Sequence, residues 1–107
     1  MNFREELELI RKVKREEVTT KAELFIMEAS RRLRELPSFR ADDKIQIFNS
    51  VSVIVMQNMN GSPIYEMELE NSCERKAVFD AICEKLKADG CKFEFKPIDI
   101  PWIIIEN

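Results

Sequence analysis

The chain has 107 residues, of which 45% are hydrophobic and 35% charged, with only two glycines and four prolines. That length and balance describe one domain, residues 1–107, that buries its own core, and they exclude a disordered or collagen-like chain. A net charge of -3 argues against indiscriminate nucleic-acid binding, and the apolar run Trp102 to Ile105 is far shorter than the roughly 20 residues a membrane span needs.

The charge is unevenly divided. Residues 1–40 carry ten Lys and Arg against eight Asp and Glu, whereas residues 41–107 carry seven against twelve. The two halves are therefore suited to different partners. No basic start followed by an apolar stretch opens the chain, so a cytoplasmic protein is expected, with no membrane partner. The three cysteines, Cys73, Cys83 and Cys91, are an odd number without the close spacing of a zinc or redox motif, and they read as reduced thiols.

The first predicted element covers residues 2–36. Phe3, Leu7 and Ile10 form one apolar stripe, and Val18, Ala22, Phe25, Ala29, Leu33 and Leu36 form a second, each stepping by three or four residues as a helix face does. The stripes are out of phase, and Thr20 with Glu23 has the form of a capping box, so a bend or fresh start near residues 19–20 is expected. Pro37 ends the segment, because it has no N–H to donate and disfavours helical geometry in the residue before it.

An α+β body follows over residues 44–106. The β-branched run from Lys44 to Gln57 predicts a central strand, apolar on both faces in places. Tyr65, Met67 and Leu69 alternate with Glu66, Glu68 and Glu70, which predicts a strand with one buried face. A three-residue loop, Met59 to Gly61 with Gly61 left-handed, pairs Val55 with Tyr65, Val53 with Met67 and Val51 with Leu69, and so keeps apolar side chains together. A second helix from about Cys73 to Asp89, capped by Asn71 or Ser72, buries Val78, Phe79, Ile82, Cys83 and Leu86 and stops at Gly90. Cys91, Phe93 and Phe95 alternate with charged residues in a third strand, and a Pro97 to Pro101 connection leads to a last one, Trp102 to Ile105. The order α-β-β-α-β-β predicts a largely antiparallel sheet with helices packed on one face.

Chemistry is constrained by what is missing. There is no histidine, the commonest general base and neutral metal ligand, and both glycines are needed by a turn and a helix end. No catalytic, cofactor-binding or metal-binding residue is assigned. Cys83 and Cys91 read as core thiols; Cys73, in a helix first turn, is the better placed for reactivity. Three surfaces remain. Glu66, Glu68 and Glu70, continued by Glu74, form an acidic row with like charges about 7 Å apart on a strand, suited to a basic protein groove. Arg31, Arg32, Arg34 and Arg40 form a basic group able to bind phosphate, although Glu28 and Glu35 are spaced to pair with it. Trp102, Ile103 and Ile105 provide an apolar chain end for a symmetric homodimer.

The stretch Leu86-Lys87-Ala88-Asp89-Gly90-Cys91-Lys92-Phe93-Glu94-Phe95, followed by Trp102-Ile103-Ile104-Ile105, resembles the closing pattern of many small uncharacterised phage and prophage proteins. The resemblance implies an accessory protein, sometimes one that blocks a host enzyme or defence system, and it transfers no functional residue. The expected function is a non-enzymatic protein-interaction or inhibitory module. The alternatives are nucleic-acid binding through the basic helix, and a small enzyme or ligand-binding protein with a pocket between helix and sheet.

Overall fold

The computed structural model describes residues 2–96 and 99–106; Pro97 and Ile98, in the connection named above, lie outside them. Helix α1 spans Phe3–Glu35 and is followed by β1 (Ile45–Asn49), β2 (Val53–Asn58) and β3 (Pro63–Glu68). Helix α2 spans Ser72–Ala88, and β4 (Phe93–Lys96) and β5 (Trp102–Ile105) close the chain. The strands form one sheet in the order β3-β2-β1-β5-β4, with every neighbouring pair antiparallel. Both helices pack on the same face, so the α+β class expected from the sequence holds.

Helix α1 does not restart at Thr19 and Thr20: its 33 residues are one continuous helix. Its start is fixed by Asn2, whose side-chain oxygen accepts from the Glu5 N–H at 3.0 Å, and acidic Glu5 and Glu6 sit at its positive end. At about 100° per residue, the stripe of Phe3, Leu7 and Ile10 lies about a quarter-turn from that of Ala22, Phe25 and Ala29. The phase offset is therefore a change of face along a continuous helix. Only the second stripe is used internally, since Ala22, Phe25 and Ala29 are buried while residues 2–17 are exposed apart from half-buried Leu7.

The run from Lys44 to Gln57 is two strands, not one. Ser50, Val51 and Ser52 form a tight turn in which the Ser50 N–H donates to the Val53 carbonyl at 2.9 Å and Ser52 adopts φ 64°. The turn has no glycine or proline, so the β-branched content on either side masks it. The antiparallel register puts Ile47 opposite Met56 and Asn49 opposite Ile54.

The next hairpin has the expected loop but not the expected register. The Asn58 N–H donates to the Ser62 carbonyl at 3.1 Å and Gly61 is left-handed at φ 86°, which closes the loop over Met59 to Gly61. Gln57 then pairs with Pro63, but Met56 pairs with Tyr65, so Ile64 is an extra residue on β3. This bulge shifts everything beyond it: Val53 faces Glu68, Val55 faces Glu66 and Ile54 faces Met67. Core positions on β2 are consequently Ile54 and Met56, not Val53 and Val55, and Ile64 is itself buried.

Helix α2 follows its sequence signals closely. Asn71 caps it by accepting from the Glu74 N–H at 2.9 Å, and Gly90 ends it at φ 83°, with the Cys91 N–H donating to the Leu86 carbonyl at 2.9 Å. Val78, Phe79, Ile82 and Leu86 meet Phe25 and Ala29 of α1 and Ile47, Ile54 and Ile103 of the sheet in one core.

Candidate functional site: the outer face of the sheet

Side chains alternate across a strand, and residues directly opposite on antiparallel neighbours share a face. With Ile47, Ile54, Met56, Ile103 and Ile105 turned towards the helices, the alternate set points outward. The registers align Glu66, Val55, Phe48, Trp102 and Lys96 in one row across all five strands. A second row runs Gln57, Gln46, Ile104 and Glu94, in which the Gln57 side-chain amide donates to the Gln46 carbonyl oxygen at 3.2 Å. Val53 lies opposite Glu68 on the same face.

The centre of this face is apolar. Phe48 and Trp102 stack with ring centroids 5.1 Å apart and planes 13° from parallel, and Val53, Val55 and Ile104 are half-buried around them. Its margins are charged. At the β3 edge Glu66 and Glu68 are exposed, whereas at the β4 edge Lys96 is spent on Glu94, Nζ to Oε1 at 2.6 Å. The face therefore offers apolar area beside net negative charge on one side only.

The structure divides the acidic row expected from the sequence. Glu66 and Glu68 share the outer face and Glu70 is exposed just beyond β3, but Glu74 lies in the helical layer, where its carboxylate takes the Lys21 ammonium of α1. The basic group is divided as well. Arg31 is held by Glu28 at 2.9 Å and Glu35 at 3.5 Å, and these carboxylates, Glu28 first, raise its pKa further. Arg32 lies over the Tyr65 ring, 5.3 Å from its centroid, leaving Arg34 and Arg40 exposed on different segments. Of the apolar chain end, only Trp102 points outward. Ile103 and Ile105 are buried in the chain's own core, because β5 pairs Ile103 with Ile47 and turns both to the helices; they are not an exposed dimer surface.

Phe48, Val55 and Ile104 escaped the sequence reading. Their signal was present, since the run from Lys44 is apolar on both alternating faces, but it indicates doubly covered strands as readily as a sheet with one face uncovered.

A cleft of about 520 Å³ opens where the α2 N-terminus meets the β1–β2 turn and the end of β4, walled by Val51, Phe79, Phe95 and Ile100. Its polar groups serve the fold. Arg75 donates to Asn49 Oδ1 at 2.9 Å and to the Leu69 carbonyl at 2.7 Å, joining α2 to β1 and to the end of β3, while Lys76 pairs with Asp80 at 2.9 Å. Cys73 at the cleft is exposed; Cys83 is half-buried, and desolvation, then Asp80 and Glu84, push its thiol up to about 11. Among the described residues no cluster of three or more Cys, Asp or Glu side chains is placed to hold a metal ion, and no helix is long and apolar enough to cross a membrane. Comparison of the chain with protein-family models, curated proteins and solved structures finds no match.

Proposed function

We propose that the protein is a non-enzymatic interaction module that binds a protein partner through the outer face of its sheet. The observation that supports this most is the row Val55, Phe48 and Trp102, lying on the face opposite both helices and bordered by Glu66 and Glu68. An apolar patch with paired aromatic rings favours burial against another protein, and aromatic side chains at the centre of a patch commonly dominate binding energy. The partner that fits carries Lys or Arg beside its own apolar surface, so that its charge meets the β3 margin. Covering a basic groove in this way is an inhibitory action of the kind implied by the resemblance to phage and prophage accessory proteins. Three free thiols support a reducing, cytoplasmic setting for that action.

A pull-down with charge-reversed protein tests the proposal. Glu66→Lys with Glu68→Lys alters exposed side chains, so the thermal midpoint should hold while the partner is lost. Arg31→Glu with Arg34→Glu should matter less. Loss of the partner in the arginine variant alone, or loss of a nucleic acid, would place the function on α1 instead.

A further inference from the structure

Six of the ten large apolar side chains exposed among the described residues belong to α1: Phe3, Leu9, Ile10, Val13, Leu24 and Met27. At about 100° per residue these six fall within roughly a third of the helix circumference, centred about 130° round the helix from the stripe of Ala22, Phe25 and Ala29 that enters the core, with Leu9 and Met27 the most nearly opposite it and Phe3 the least. They therefore point away from α2 and the sheet. Phe3, Ile10 and Leu24 recur at seven-residue multiples, as do Val13 and Met27, and the intervening positions are Glu6, Glu17, Thr20 and Arg31. This is the three-and-four spacing of a helix-pairing seam.

We infer that α1 pairs antiparallel with α1 of a second copy along this seam. One register pairs Ile10, Val13, Leu24 and Met27 with one another and matches the outer charges, with Phe3 packed beside the second copy's Arg34. When the numbers of facing residues add to 37, Ile10 meets the second copy's Met27, Val13 meets its Leu24, Glu17 meets its Thr20 and Glu6 meets its Arg31. The centre of that register falls at the middle of the Phe3–Glu35 helix, so the two helices overlap almost completely. A parallel pair would instead stack Glu6 on Glu6, Glu17 on Glu17 and Arg31 on Arg31, placing like charges along the seam. At the solvated rim the antiparallel pair sets Lys14 beside Lys21 and Glu16 beside Glu23. Lys14 and Lys21 already hold Glu17 and Glu74 of their own chain. Each projecting N-terminal half lies over the body-bearing half of the other α1, on the side away from its sheet. Both outer sheet faces remain open.

Sedimentation equilibrium of the full chain tests this arrangement. Wild-type protein should be a dimer at micromolar concentration, and Val13→Lys with Leu24→Lys should give a monomer with unchanged thermal midpoint and circular dichroism. Glu6→Arg and Arg31→Glu should each weaken the dimer by about tenfold or more, and combining them should restore it by exchanging the charges. A wild-type monomer at high micromolar concentration overturns the inference. So does a dimer that survives Val13→Lys with Leu24→Lys, or one in which the combined exchange is no tighter than either single variant. A dimer broken by Trp102→Gln but not by the α1 changes places self-association on the sheet face, and overturns it too.

Discussion

Ile64 is a single inserted residue, and it decides which way three others point. Because the side-chain period of a strand is two, leaving Ile64 unpaired turns Tyr65, Met67 and Leu69 towards the helices beside Met56 and Ile54 and keeps Glu66 and Glu68 outside with Val55 and Val53, whereas pairing Ile64 with Met56 would turn the glutamates inward. Deleting Ile64 should remove the bulge while keeping Val55 opposite Glu66 and Ile54 opposite Met67, so thermal unfolding should stay cooperative and the loss be about the 2–5 kcal/mol of one buried side chain. Ile64→Val, which keeps the register, should cost only about 0.5–1.5 kcal/mol in a denaturant titration. The alternation of Tyr65, Met67 and Leu69 was legible in the sequence, and so was the loop at Gly61. The bulge was not, because apolar Pro63 and Ile64 look like ordinary strand residues and nothing local fixes where pairing slips. Cys83 carries a second prediction at this scale. Burial keeps its thiol protonated up to about pH 11, so at pH 8 an alkylating reagent should modify exposed Cys73 well before Cys83. The folded state prefers the protonated thiol, so this contribution to stability is complete below the unfolded value of 9.0 and is lost as pH rises through about 11. Equal labelling rates in the folded protein would contradict the burial.

Among the elements, the helices show how a cap differs from a cap-like sequence. Asn71 accepts the Glu74 N–H, so Asn71→Ala should cost about 1 kcal/mol. Thr20 lies within α1 and caps nothing, so Thr20→Ala should be neutral or stabilise by a few tenths of a kcal/mol, alanine being the better helix former. A loss at Thr20 as large as that at Asn71, read from thermal melts, would mean that the helix does restart there. The ends of α1 and all of α2 were legible because Pro37, Asn71 and Gly90 carry backbone reasons for starting or stopping. The capping-box pattern at Thr20 misled because hydrogen bonds within a continuous helix already satisfy the N–H groups such a box would serve. Phe25 anchors α1, fully buried with its ring 5.3 Å from Tyr65. Phe25→Ala should destabilise the protein by about 3–5 kcal/mol.

At the scale of the whole molecule, the long axis of 55 Å comes from a helix of which only the second half is packed. The two uncovered apolar surfaces lie on opposite sides: the α1 seam behind the helical layer, and the Phe48–Trp102 row on the sheet. The sequence pointed to Phe3 and Ile10 of the first surface and Trp102 of the second but not to their companions, since facing depends on the β1–β2 turn, the bulge and the unbroken helix together. An antiparallel α1 dimer would present the two sheet faces outward, suiting a partner that is itself multivalent. The most direct measurement is the affinity of the captured partner for wild-type protein and for Phe48→Gln with Trp102→Gln, whose neighbours Ile47 and Ile103 keep the core. The fold should be retained and binding should weaken by about tenfold or more, as expected when central aromatic anchors are lost. A folded variant that binds its partner as tightly as wild type would contradict binding through the sheet face.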